Sequence, residues 1–528
     1  LWTPEESFLF STGVLIMAEV EEATFHHGRR HYIGLLLGPA LFIIILIFFD
    51  LEPSNPIVTR TAAVAVLMAV WWLTEAIPIA ATALIPMALF PALGIMSGRA
   101  VAPIYFNYII FLFIGGFIIA LAMQKWNLHR RIAIRIIILI GASPRKVILG
   151  FMCATAFLSM WISNTATTMM MVPIAAAVLD KIEDTFGKDV LGRFPVALLI
   201  GIAYAASIGG IATLIGTPPN LVLIRILKIS FPDAPEISFA SWMAFGLPFS
   251  IVFLLIAWRL LLLIFVPRKS VFRSEASIFR EEYKKLGKIK YEEVVVLITF
   301  LALALLWIFS NDIVIGNFVI PGWTRIMPES GYIDDGSVAI FMALLLFLIP
   351  SRTKEKGRLM DWKTARRLPW GIVILFGGGF ALAAGFKESG LSDWLGGQLG
   401  GFSYFPALII ILMVCSGMTF LTEMTSNTAT TQMILPILAS IAVAIKMNPL
   451  MLMIPATLSA SCAFMLPVAT PPNAIIFGTG RITIGNLARA GFLLNLIGIF
   501  LVTLAVYLLG RIIFGINPAE FPSWAAIS

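Results

Sequence analysis

Charge is what this 528-residue sequence has least of: Asp, Glu, Lys and Arg make up 12% of it, about half the share of an ordinary soluble chain. So few charges cannot cover a water-facing surface, and with 59% apolar residues the chain reads as a polytopic membrane protein. Histidine is scarce as well. His26, His27, His31 and His129 all fall at or near predicted ends of spans, which excludes a hydrolytic triad or a zinc cluster in the core. The three cysteines, Cys153, Cys415 and Cys462, lie in apolar segments without metal-ligand spacing, so they read as small buried hydrophobes. The net charge of +8 sits in short connecting loops and does not form a nucleic-acid footprint. Gly377, Gly378 and Gly379 follow no strand with dinucleotide spacing, which rejects a nucleotide fold.

What the chain has in abundance is long apolar runs. Segments able to cross a bilayer are read near 33–49, 61–80, 81–96, 107–123, 194–228, 240–266, 292–310, 338–350, 371–386, 449–480 and 488–514. Two further stretches, about 144–179 and 405–443, are too long for one span and carry the same polar hexapeptide at their middles. Ser163-Asn164-Thr165-Ala166-Thr167-Thr168 returns as Ser426-Asn427-Thr428-Ala429-Thr430-Thr431, each followed by a proline, Pro173 and Pro436. The same spacing of 263 superimposes Phe113 to Phe117 on Phe376 to Phe380 and Leu128 on Leu391. A second pair, Gly216-Thr217-Pro218-Pro219-Asn220 and Ala469-Thr470-Pro471-Pro472-Asn473, follows at a spacing of 253. Two motifs kept in one order mark an internal duplication. Polar breaks inside apolar stretches predict re-entrant helical hairpins, since irregular backbone at membrane depth must be buried or line a cavity.

Charge in the loops sets the orientation. Arg29, Arg30, the cluster from Arg130 to Lys146, the stretch Arg268 to Lys290, and Arg352 to Arg367 are expected on the cytoplasmic side. Eleven spans then put the N-terminus inside and the C-terminus outside. The first copy carries six Lys or Arg and no acid between Lys125 and Lys146, whereas its counterpart after Lys387 carries Lys387, Glu388 and Asp393. Homologous segments so differently charged are expected to face opposite sides, as inverted repeats. The polar segment between Val266 and Lys290 predicts a cytoplasmic surface helix linking the halves, and Met17 is the expected natural start.

The chemistry of the paired motifs follows from helix ends. A helix N-terminus carries partial positive charge and free N–H groups that bind anions, and Ser or Asn there caps some of them. The preceding half-helix ends in free carbonyls, and Ser, Thr and Asn add neutral oxygens, a donor set suited to Na⁺. Tandem prolines are expected to break the neighbouring helix and leave more carbonyls unpaired. No Lys or Arg lies between Val147 and Leu179 or between Gly400 and Ala444, so a divalent anion bound there needs co-bound cations. Ser163 and Ser426 have Asn and Thr as neighbours and no base, which argues against an enzyme. Glu75 and Glu423 are the notable acids in apolar surroundings, each open to an ion-binding or a structural reading.

These residues resemble the divalent anion:sodium symporters, and most closely the bacterial sodium-dependent dicarboxylate transporters. The resemblance runs from about Tyr32 to Gly515 and rests on both Ser-Asn-Thr signatures, both Thr-Pro-Pro-Asn turns, Trp72 to Pro78, and Asn473 to Gly478. It implies an all-α membrane protein with about eleven transmembrane helices and two re-entrant hairpins in two inverted repeats, of the elevator type. The implied organisation is a cytoplasmic segment 1–32, scaffold helices 33–143, a transport-domain hairpin and helices 144–266, a cytoplasmic linker helix 267–291, scaffold helices 292–404, a second transport-domain unit 405–515 and an extracellular tail 516–528.

By the same resemblance one Na⁺ uses Ser159, Ser163, Asn164 and Gly216, and a second uses Thr422, Thr425, Asn427 and Ala469. Substrate carboxylates touch Ser163, Asn164, Thr165, Thr217, Ser426, Asn427, Thr428, Thr470 and Pro471. Threonine at 165 and 428 leans toward succinate, malate and fumarate over citrate. The implied activity is import of these dicarboxylates with two or more co-transported Na⁺ and no organic cofactor, by a homodimer in the bacterial cytoplasmic membrane. A sodium-independent dicarboxylate or citrate exchanger of the same fold is the alternative.

Overall fold

The computed structural model describes residues 29–141, 143–186, 191–266, 276–315, 318–353, 357–399, 404–518 and 520–526. Met17 with residues 1–28, the linker residues 267–275 and the last two residues of the tail lie outside these.

The first half contains α1 (Arg29–Phe48), α2 (Pro56–Thr74), three short helices (Ile79–Thr82, Ile85–Ala92, Gly98–Tyr105), α3 (Tyr108–Lys125), α4 (Leu128–Ile140), α5 (Pro144–Ser159), α6 (Asn164–Phe186), α7 (Phe194–Ile211), α8 (Pro218–Ser230) and α9 (Phe239–Phe265). A linker helix, α10 (Ala276–Lys285), leads to α11 (Tyr291–Ile308), α12 (Asp335–Leu348), the one-turn helix Trp362–Ala365, α13 (Trp370–Ser389), α14 (Leu391–Leu399), α15 (Ala407–Thr422), α16 (Asn427–Ala444), α17 (Leu450–Ala460), α18 (Pro471–Phe477) and α19 (Ile484–Ile513). Between α11 and α12 a two-stranded antiparallel ribbon pairs Ile313 with Ile320 and Ile315 with Phe318, a small departure from the all-helical expectation.

Among the described residues ten helical segments are long and apolar enough to cross a membrane. Eight of these correspond to the eleven apolar runs and the other two, Asn164–Thr185 and Asn427–Ala444, are hairpin helices, and where a run departs from a single spanning helix there is a physical cause. The runs 194–228 and 449–480 are interrupted by non-helical backbone at 212–217 and 461–470. The run 81–96 breaks up around Ala83 and Leu84, and α12 is 14 residues long. Apolar composition registers burial equally well whether the backbone is continuous or broken.

Both hexapeptide stretches fold as helix, turn, helix. The turns occupy 160–163 and 423–426, and in each pair the two helices touch. The tandem prolines stand at the downstream edge of the breaks at 212–217 and 461–470, opening α8 and α18 at the first two helical positions, where a missing N–H goes unused and the fixed φ suits the helix.

Every residue of α7 and of α17 is buried, so these helices are apolar on all faces because protein surrounds them. By contrast α1 leaves Leu36 and Phe48 about three-quarters exposed, as a lipid-facing helix does. The two halves interlock around the buried pair: α6 packs on α18, and α16 packs on α8. The Tyr204 hydroxyl on α7 donates to the Phe464 carbonyl at 2.9 Å, joining the first half to the second half's unwound segment.

The linker helix is fixed at both flanks. Phe279 is buried against Phe151 of α5, and Lys181 at the end of α6 pairs with Glu281, holding that carboxyl below the ordinary range. Arg131 donates to both Glu293 oxygens and to the carbonyls of Leu286 and Gly287. Both ends of the Arg131–Glu293 pair are buried, at 8% and 6% side-chain exposure. Removing one partner of such a pair costs roughly 3–5 kcal/mol. Glu293→Ala should therefore lower the melting temperature of the purified protein clearly, whereas Glu281→Ala, at an exposed pair, should leave it nearly unchanged.

Candidate substrate and cation site

Each hairpin turn lies beside an unwound segment, and the same hydrogen-bond pattern is written twice. In the first half Ser159 Oγ stands 2.6 Å from Asn164 Oδ1 and 2.7 Å from the Ala206 carbonyl oxygen. In the second, Thr422 Oγ1 stands 2.6 Å from Asn427 Oδ1 and 2.8 Å from the Ala460 carbonyl oxygen. One hydroxyl proton serves one of two acceptors. Each half therefore gathers more oxygen lone pairs than it has hydrogens to share, in a buried place.

The unwound segments are held by the asparagines that end the proline motifs. Asn220 Nδ2 donates to the Thr213 carbonyl at 2.7 Å and to that of Gly210 at 3.3 Å. Asn473 Nδ2 donates to the Ala463 carbonyl at 3.1 Å and to that of Leu466 at 3.0 Å. In both, Oδ1 is buried without a hydrogen-bond partner. Non-helical backbone is thus satisfied by side-chain donors, as its depth requires.

Glycine sets the geometry of the first half. A Cβ on Gly210 would stand 2.6 Å from Asn164 Oδ1 and 3.0 Å from the Gly216 carbonyl oxygen, so these two oxygens flank one small space. A Cβ on Gly216 would stand 2.5 Å from the Gly210 carbonyl oxygen. Ser159, Asn164 and Gly216 are thereby brought together. Ser163 instead caps α6, its Oγ accepting from Ala166 N at 3.2 Å.

In the second half Thr422 and Asn427 meet directly, while Thr425 bonds to the Leu421 carbonyl and to Thr430 Oγ1. Ala469 is buried within the unwound segment, its N–H donating to the Leu466 carbonyl. Ser426 precedes α16 but makes no side-chain cap bond, unlike Ser163. Thr165 lies half-buried on the first turn of α6, and Thr428 is buried at the matching place on α16. Thr217 and Thr470 are buried at the starts of α8 and α18, Thr470 Oγ1 accepting from Asn473 N at 3.4 Å. Pro471 is exposed.

The two intramembrane acids separate. Glu75 is exposed, ends α2 in the left-handed conformation at φ 53°, and offers its carbonyl to His31 Nδ1 at 2.8 Å. It belongs to the end of a helix and not to the hairpins. Glu423 is buried in the second hairpin turn. Sequence reasoning missed the Ala206 and Ala460 carbonyls, which no side chain advertises. It also left Asn220 and Asn473 without a role, although the 253-residue spacing pairs them.

The region 31–516 matches the family model described as "Sodium:sulfate symporter transmembrane region". A sodium-dependent dicarboxylate transporter of Staphylococcus saprophyticus is 46% identical over 494 residues, covering 92% of this chain and 93% of that protein. Its namesake in Staphylococcus aureus is 45% identical over 497 residues, with 92% of each chain covered. Among solved structures the YdaH transporter of Alcanivorax borkumensis aligns with a TM-score of 0.52 at 14% identity, over 80% of this chain and 88% of that one, a likeness of fold alone. This multi-pass helical protein is a transporter and not an enzyme, and it belongs to the sodium:sulfate symporter family of divalent anion:sodium carriers.

Proposed function

We propose that this protein imports four-carbon dicarboxylates, such as succinate, malate and fumarate, each with two or more Na⁺ ions, by an elevator movement. One observation carries the reading: two matched groups of oxygens, around Ser159, Asn164 and Gly216 in the first half and around Thr422 and Asn427 in the second, which Ala469 is taken to complete, with no Lys or Arg between Val147 and Leu179 or between Gly400 and Ala444. Surplus oxygen lone pairs without hydrogens suit a monovalent cation, and a dianion in low dielectric needs such counter-charge. The helix starts at Asn164 and Asn427 supply N–H groups and partial positive charge for the carboxylates, with Ser163, Thr165, Ser426, Thr428, Thr217, Thr470 and Pro471 around them.

The same reading takes residues 144–266 and 405–515 as the moving domain and 33–143 with 292–404 as the scaffold. It sets the protein as a homodimer in the bacterial cytoplasmic membrane, N-terminus inside. Relatives named as sodium-dependent dicarboxylate transporters support the substrate and the ion.

In proteoliposomes, succinate uptake should vanish when external Na⁺ is replaced by K⁺ or choline. Uptake that persists and follows only an internal dicarboxylate would establish an exchanger instead. One contact favours that second reading: Arg30 Nη2 donates to the Met424 carbonyl of the second hairpin turn at 2.9 Å, and a basic group can stand in for a cation. If it does, Arg30→Ala creates a sodium requirement that the wild type lacks. Under the symport reading the requirement is present before the substitution.

A further inference from the structure

Glu423 follows Thr422 in the chain and is 3% exposed. Its Oε1 accepts from Phe464 N at 2.6 Å, Met465 N at 2.9 Å and Asn495 Nδ2 at 2.8 Å, and its Oε2 accepts from Leu466 N at 3.1 Å. Every partner donates. Three of the four bonds come from backbone amides of the unwound segment that carries Ala469, so this one side chain ties that segment to the hairpin turn that follows Thr422.

The first half has no such carboxyl clamp. At the spacing of 263 the counterpart of Glu423 is Met160, and there the Thr213 hydroxyl donates to the Met160 carbonyl. The two halves match in the oxygens around Asn164 and Asn427 and differ in what ties the unwound segment to the turn.

We propose that Glu423 is a positioning residue that clamps the unwound segment 461–470 to the hairpin turn and thereby makes the second half's cation pocket the tighter of the two, the one filled first. This rests on the sodium reading above. Loss of a side chain that orients metal ligands from behind typically costs about 10–100-fold in metal affinity.

The test is Na⁺ titration of purified, substrate-free protein, followed by thermal stabilisation. Asn164→Ala leaves the second pocket, and Asn427→Ala leaves the first. Glu423→Gln should weaken Na⁺ binding about tenfold in the Asn164→Ala background and leave it within about twofold in the Asn427→Ala background. Equal weakening in both backgrounds would mean a merely structural role and overturn the proposal, as would no weakening in either. Should Glu423→Gln fail to fold, Glu423→Asp in the same two backgrounds decides by the same rule, a loss confined to Asn164→Ala supporting the proposal. A wild type that Na⁺ does not stabilise sinks the sodium reading itself. A wild type stabilised by Na⁺ with Glu423→Gln unaffected sinks only this inference.

Discussion

Asn427→Ala is expected to abolish sodium-driven succinate uptake while the protein still inserts and folds. Asn427 is half-buried and its amide oxygen accepts from Thr422 Oγ1 at 2.6 Å, so its removal leaves no strained backbone behind. What disappears is an oxygen that a desolvated cation has no other way to replace. Leaving a buried charged group short of one partner costs roughly 2–3 kcal/mol, and each 1.4 kcal/mol is about tenfold in affinity, so uptake at limiting Na⁺ should fall on the order of a hundredfold. The decisive comparison is uptake against surface expression. Full uptake with normal expression would remove Asn427 from the site.

Gly216→Ala tests the other half and sets the fold against the motif. Read as a repeat, this substitution is harmless, because the second half carries Ala469 at the matching position and Ala463 opposite Gly210. The structure predicts the reverse. A methyl group on Gly216 would stand 2.5 Å from the Gly210 carbonyl oxygen and 2.9 Å from its Cα, and backbone cannot swing aside as a side chain does. Overpacking of this kind costs about 1–3 kcal/mol and pushes the Gly216 carbonyl away from Asn164, so uptake should drop to roughly a tenth of wild type or lower. Gly417→Ala is the control, since a Cβ there meets nothing within 4 Å. If Gly216→Ala and Gly417→Ala transport equally well, the first pocket is not built as described.

Much of this was readable from the chain, for reasons particular residues make clear. The hairpins were legible because a polar hexapeptide inside an apolar stretch has few ways to satisfy its backbone, and helix ends are the best of them. That Ser159 goes with Asn164, and Thr422 with Asn427, came from the family resemblance and not from spacing. The carbonyls of Ala206 and Ala460 were invisible because any residue could supply them. Asn220 and Asn473 were visible as letters, but their work of holding unwound backbone appears only once that backbone is seen to be unwound. The prolines marked the breaks, but the rule that Pro breaks helices says nothing about which side of the break it occupies. Span counting came close, about eleven against ten, but it could not show that the runs 194–228 and 449–480 hide unwound backbone, because α7 and α17 are surrounded by protein and apolar throughout.

That last feature bears on how the protein is made. With 11 residues, α17 is roughly 16 Å long, about half the hydrocarbon thickness of a bilayer, and its non-helical continuation from Ser461 to Thr470 would set unpaired backbone groups against bare acyl chains if it entered alone. This segment therefore has to wait, at the edge of the insertion machinery, until α7 and the first hairpin already stand in the membrane to receive it. The earlier half of the chain acts as the mould in which the later half sets, and truncation before α7 should leave the remainder to quality-control proteolysis.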